Sequence, residues 1–270
     1  MPELPEIAHR TRQMQTELVG KTIAGVDALQ PKCLNLPPED FAAALSGATI
    51  QSVTHRGKWI MTETTQGWFL LSLGMGGEVL LVTRETLPTK YRLIIDFTDH
   101  SCLAVNFWWF GYAHYAALDA LQSHEMTAKL GPNVLDLTPT ELQTRLQTRR
   151  GRIKALLLDQ SVVAGIGNAY IHDILFLAQL HPQRKVDTLT TADFEKLAQA
   201  IHDGLQPSLD KGGAFYEVDL HGRKGGFLAE DIIIGYREGQ PCPTCGATIE
   251  KIKTGSTSSF ICPVCQPLTE

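Results

Sequence analysis

Residues 242–265 read CPTCGATIEKIKTGSTSSFICPVC, and this stretch decides how the rest of the chain divides. Two residues separate Cys242 from Cys245 and Cys262 from Cys265, with sixteen residues between the pairs. A two-residue gap lets both thiolates of a knuckle reach one ion, and four thiolates close a tetrahedral structural zinc site. The residues between read as two strands around a Thr-Gly-Ser turn. Four cysteine ligands leave no coordination position open, so the metal holds shape and does no chemistry. One structural zinc on Cys242, Cys245, Cys262 and Cys265 is therefore expected in a C-terminal β-hairpin finger. Such a ribbon points towards nucleic acid but does not name it.

Moving back along the chain, residues 212–240 are glycine-rich and read as a long loop. Helical patterning precedes them at 139–148, 152–160, 168–178 and 190–205, with Thr138 and Thr190 as N-cap candidates. LGPNVLDL (130–137) carries a Gly-Pro break and marks a domain boundary. Between Gly20 and about Tyr115 the pattern is short, β-branched and aromatic: TIAGVDAL, TIQSVTHRGKWIMTET, GWFLLSLG, EVLLVT, YRLIIDFTD and SCLAVNFWWFG. Residues 5–18 read as a helix, with Pro5 in the first turn, Glu6 at the positive end, and Ile7, Met14 and Leu18 on one face. The expected fold is α+β and multidomain. An N-terminal helix plus β-sandwich occupies 1–129, a helical domain 130–235, and a zinc finger 236–270.

The bulk numbers exclude some classes of protein. At 43% hydrophobic and 20% charged, the 270 residues suit an ordinary globular protein. No apolar run approaches the roughly 18 residues of a membrane span, and MPELPEIAHR lacks the form of a secretory signal. The expected location is cytoplasmic, with no membrane partner. Cys33 and Cys102 read as buried small apolar residues, and a disulfide framework is not expected. The net charge of −5 argues against a polyanionic partner only if charge is spread evenly. Arg145, Arg149, Arg150, Arg152 and Lys154 follow one another with no acid between, which reads as a local positive patch.

Three further places can carry chemistry. With Met1 removed, Pro2 presents a secondary amine at the chain start. An α-amine titrates near 8, about two units below lysine, so part of it is unprotonated at neutral pH. Such an amine can attack a sugar C1′, and Glu3 beside it can serve as general acid and base. Lys58, in Arg56-Gly57-Lys58 at a strand turn, suits a phosphate. In Gly165-Ile166-Gly167-Asn168 the glycines allow close backbone approach, and the helix after them offers amide donors to a phosphate. A plain inter-helix turn with Asn168 as N-cap explains the same residues.

MPELPEI at the start, GK at 57–58, LGM at 73–75, LGP at 130–132, AGIGNAYIHDILF at 164–176, the glycine-rich stretch near 212–226 and the four-cysteine finger follow in that order. The whole chain thereby resembles the formamidopyrimidine-DNA glycosylase and endonuclease VIII family, and the PELPEI start is more similar to the formamidopyrimidine branch. The resemblance implies a helix-two-turn-helix in the helical domain and a bifunctional glycosylase and abasic-site lyase acting on damaged double-stranded DNA as a monomer. It implies Pro2 as Schiff-base nucleophile, Glu3 as general acid/base, Glu6 as a further acid near the lesion pocket, and Lys58 as a contact to a flanking phosphate that assists elimination. Asn168, Arg150 and Lys154 take the places of DNA contacts. Met75 and Phe110 match two residues that fill the space a flipped nucleotide vacates.

Three positions depart from the family. Where its third space-filling residue is an arginine, this chain has Trp108, which can stack but offers one donor. Weaker discrimination of the opposite base, or a substrate needing a larger wedge, is the expected consequence. Phe107 and Trp109 alternate with Trp108 and are expected in the β core. Thr257 stands where the finger carries an arginine used on a phosphate and in the second elimination, and Ser72 stands where the family has histidine. The residues also leave room for a non-catalytic damaged-DNA-binding relative and, more remotely, for an RNA-binding protein with a zinc ribbon.

Overall fold

The computed structural model describes residues 1–268. The chain gathers into two compact units. One comprises Met1–Lys129 with Lys211–Gly226, and the other Leu130–Asp210 with the chain from Phe227 onward.

The first unit is the expected helix-plus-sandwich. Helix α1 spans Leu4–Leu18 and leads into β1 (Ile23–Ala28). A helix that the strand-rich pattern concealed, α2 (Pro38–Leu45), follows, started by Pro38 with Glu39 and Asp40 in its first turn. Then come β2 (Ile50–Arg56), β3 (Trp59–Thr64), β4 (Trp68–Ser72), β5 (Glu78–Thr83), β6 (Leu93–Phe97), β7 (Ser101–Asn106) and β8 (Tyr112–Ala116). They form two antiparallel four-stranded sheets, ordered β1-β6-β7-β5 and β2-β3-β4-β8. Ile7, Met14 and Leu18 of α1 join Phe41, Ile60, Phe69, Ile95, Leu103 and Phe107 in one buried core. Cys33 and Cys102 are buried as free thiols. The 211–226 segment belongs here as well: Leu220 enters the core, and its carbonyl accepts the N–H of Leu81 at 2.8 Å.

The second unit holds α3 (Pro139–Gln147), α4 (Ile153–Leu158), α5 (Ile171–Leu177), α6 (Thr191–Asp210) and the hairpin β9 (Glu250–Thr254) and β10 (Thr257–Ile261). Thr138 caps α3 through the N–H of Glu141, and Thr190 receives the N–H of Asp193 at the start of α6. α6 runs to Asp210, past the expected end and through Pro207. α5 starts later than expected, with Tyr170 rather than Asn168 at its N-cap position. The finger packs on α5: Phe176, Ile234, Ile249 and Phe260 share a small core with Cys242 and Cys262. No helix among the described residues is long and apolar enough to cross a membrane.

Candidate functional site

In the first unit, the N-terminus of α1 is a closed cluster of charge. Pro2, Glu3 and Glu6 are all buried. Glu3 and Glu6 form a reciprocal capping box, in which the Glu3 N–H donates to Glu6 Oε2 at 2.8 Å. The other Glu6 oxygen accepts the N–H of Ala214 at 3.0 Å. One carboxylate therefore fixes the chain start and the glycine-rich segment together. Gly213 makes this approach possible: its φ is +100°, and a Cβ there would stand 2.9 Å from Glu6 Cγ.

One turn further along α1, Arg10 is wholly buried. Its Nη2 donates to Glu217 Oε2 at 3.0 Å and its Nε to the Val218 carbonyl at 2.8 Å. Glu217 Oε1 lies 3.8 Å from the Met1 amine. Burial pushes the Glu217 carboxyl above the ordinary glutamate value, while Arg10 and the terminal ammonium pull it back. Nearby, burial opposes ionisation of Asp219, but hydrogen bonds from Gln13 and from the backbone of Arg223 and His221 overcome it and hold that carboxyl at about 2. Sequence reading passed over Arg10 and Glu217, because an arginine on an amphipathic helix reads as a solvated side chain. Only the glycine density of 212–226 marked the partner segment.

Lys58 stands with Gly57 in the two-residue turn joining β2 to β3, where Arg56 pairs with Trp59. Gly57 takes φ +57°, which such a tight turn favours. Elsewhere in this unit, Met75 pairs with Trp109, its N–H donating to the Trp109 carbonyl at 2.8 Å. The contact needs Gly74, where a Cβ would meet that carbonyl at 2.1 Å. The result is a tip of large side chains facing solvent: Met75 is 43% exposed, Trp108 49%, and Trp109 and Phe110 66% each. Lys90 lies over Trp108, 5.1 Å from the ring. Phe107 is in the core as expected, but Trp109 is not. β7 ends at Asn106, so strand alternation no longer governs the residues after it, and Phe110 adopts φ +57°.

In the second unit the basic stretch divides. Arg145, Arg149, Arg150 and Arg152 are exposed. Lys154 is 3% exposed, so it is not part of the surface patch expected of it. The first turn of α4 points it into the finger hairpin, where its ammonium donates to Thr254 Oγ1, Thr257 Oγ1, the Ser258 carbonyl and Ser259 Oγ at 2.6–3.2 Å. Burial lowers this ammonium from its usual range to about 8. Arg152, Lys154, Thr254 and Thr257 line a cleft of about 360 Å³. Asn168 lies in the turn before α5, half-buried, with Nδ2 3.5 Å from the Tyr236 hydroxyl, which donates to the Asn168 carbonyl at 3.2 Å. It is therefore not an N-cap. Asp173, also unforeseen, is buried and accepts the N–H groups of Ile233, Ile234 and Gly235 at 2.8–2.9 Å. It anchors the chain as it enters the finger.

The four finger sulfurs lie within 4.8 Å of one another, with Cys242–Cys265 at 3.9 Å and Cys245–Cys262 at 3.4 Å. A zinc tetrahedron with bonds of about 2.3 Å has edges of roughly 3.8 Å, so the donor set fits the ion. Burial opposes the Cys242 thiolate, but the N–H groups of Cys245 and Thr244 aim at its sulfur and draw it down to about 7. The site is a structural zinc centre; with four protein ligands the ion supplies shape and no reaction step.

Residues 1–106 match the formamidopyrimidine-DNA glycosylase N-terminal domain, 130–218 the H2TH domain of the same enzymes, and 239–268 the zinc finger found in FPG and IleRS. The formamidopyrimidine-DNA glycosylase of Chloroflexus aurantiacus is 37% identical, with 98% of each chain covered. A Bacillus cereus protein of the same name is 33% identical over 99% of each chain. The structure of a Lactococcus lactis FPG mutant with a Fapy-dG containing DNA superposes with a TM-score of 0.89 at 28% identity, covering 98% of this chain and all of that one. The Lactococcus lactis Fpg with an abasic site containing DNA gives the same score and identity, covering 98% and 99%. The chain belongs to the formamidopyrimidine-DNA glycosylase family.

Proposed function

We propose that this chain is a bifunctional DNA glycosylase and abasic-site lyase that removes damaged bases from double-stranded DNA as a monomer. The buried Pro2–Glu3–Glu6 start, clamped to Ala214, is the observation that carries the reading. Once Met1 is removed, the Pro2 nitrogen attacks C1′ and the base departs with the glycosidic electron pair. Glu3 protonates O4′ as the sugar opens, leaving an iminium between Pro2 and C1′. Loss of a C2′ proton then expels the 3′ phosphate, which nicks the strand on that side of the lesion. Lys58 steadies a flanking phosphate, and Arg150 and Asn168 bind the backbone. Lys154, enclosed by the hairpin, serves the interface by holding the finger in place.

At the exposed tip, Met75, Trp108 and Phe110 fill the space the flipped nucleotide leaves. An indole stacks on any base alike, so excision is expected to vary only a few-fold with the opposite base. Borohydride trapping tests the chemistry. Wild type is expected to give a covalent adduct on an abasic duplex, and Pro2→Gly none. Tight duplex binding with no adduct from wild type would make the chain a damaged-DNA-binding relative instead. A cytoplasmic location accords with this activity.

A further inference from the structure

We infer that Glu217 is a further catalytic carboxylate, the base that takes the proton shed by the Pro2 nitrogen. The inference rests on Pro2 being the nucleophile. Glu217 Oε1 lies 3.8 Å from the Met1 nitrogen. Removing Met1 moves the amine back by one residue, at most about 3.6 Å of chain, so the new amine stays in the neighbourhood of this side chain. Glu6 is committed elsewhere, with both oxygens accepting backbone N–H groups. Arg10 fixes the other Glu217 oxygen, which holds the carboxylate in one orientation and favours its charged form despite burial.

The step needs such a base. As the Pro2 nitrogen bonds C1′ and the glycosidic bond breaks, the nitrogen carries Cα, Cδ, C1′ and a proton. The proton passes to Glu217 Oε1, which frees the nitrogen lone pair. That pair forms the C=N bond and expels O4′, which takes its own proton from Glu3. The charged groups facing Glu217 are Arg10, the terminal ammonium and Glu6. On its own segment lies Asp219, paired with Arg223 and approached by His9.

Single-turnover release of base from a duplex holding one formamidopyrimidine lesion tests the assignment. Glu217→Gln keeps an acceptor for Arg10 and is expected to slow release about 100-fold near pH 6.5. The deficit should shrink as the pH rises, because hydroxide then substitutes for the missing base, and added formate should restore part of the rate to Glu217→Ala. Unchanged affinity for a duplex bearing a tetrahydrofuran site checks that the variants fold. Wild-type rate and pH profile in Glu217→Gln overturn the assignment, as does a deficit independent of pH and formate, which marks a merely structural pair. Should the Gln variant not fold, Glu217→Asp decides: its retracted carboxylate slows release, and an unaltered rate counts against the role. If wild type itself forms no borohydride adduct, it is the nucleophile that fails.

Discussion

Two buried cations in this molecule are held by different means. Arg10, in the sandwich unit, faces the carboxylate of Glu217. Lys154, in the helical unit, sits among hydroxyl and carbonyl oxygens of the finger hairpin. An opposite charge offsets part of the cost of leaving water, whereas dipoles offset less of it. Burial accordingly weakens the hold of Lys154 on its proton, drawing it to about 8. The pair in the sandwich holds a charged group near the chain start. The lysine in the hairpin seam is suited to docking two elements.

The largest expected effect isolates the helical unit. Zinc removal by a chelator should melt the finger, because the ion stabilises such small elements by about 10 kcal/mol or more. Limited proteolysis should then cut within 239–268 while the sandwich unit stays intact, and metal analysis of the untreated protein should find one zinc per chain. Survival of the finger without metal would mean its small apolar core suffices.

Next comes the sandwich pair. Arg10→Met leaves the partly buried Glu217 carboxylate without its cation and should cost up to about 3–5 kcal/mol in urea unfolding at pH 7. Adding Glu217→Leu to the same chain should recover much of that loss, since apolar contact replaces the pair. Failure to recover would show that Arg10 acts through its bond to the Val218 carbonyl instead.

Lys154→Met should cost less, about 1–3 kcal/mol, because hydroxyls can turn to new partners. Its signature lies in the pH dependence. The Lys154 value is lowered from 10.5 to about 8 on folding, so between those limits the unfolded chain binds the proton that the folded chain has released. Wild-type stability should therefore gain a rising component from about pH 8 towards 10.5, and Lys154→Met should lose it. Equal slopes in the two proteins would mean that the hairpin oxygens keep the ammonium fully charged.

Much of this was legible in residue order because it is local. The spacing of Cys242, Cys245, Cys262 and Cys265 is a statement about which sulfurs can share an ion, and the hairpin between them closes at the Gly255-Ser256 turn. The Thr138 cap rests on its three-residue separation from Glu141, which helix geometry turns into contact. β-branched and aromatic runs located β1 to β7, but β8 (Tyr112–Ala116) lies beyond the last of them. Alternation misled at Trp109, where the strand had already ended, and the basic run misled at Lys154, because charge density says nothing about which way a helix faces.

By itself, then, the sequence determined the order of elements, the zinc ligands and the helix that begins beside the chain start. Each of these follows from spacings shorter than a few helical turns. Tertiary structure alone decided that Arg10 meets Glu217, 207 residues away, that Lys154 is enclosed by a hairpin 100 residues on, and that an aromatic tip faces water. Those outcomes depend on which surfaces the hydrophobic core brings together, and no local periodicity encodes that.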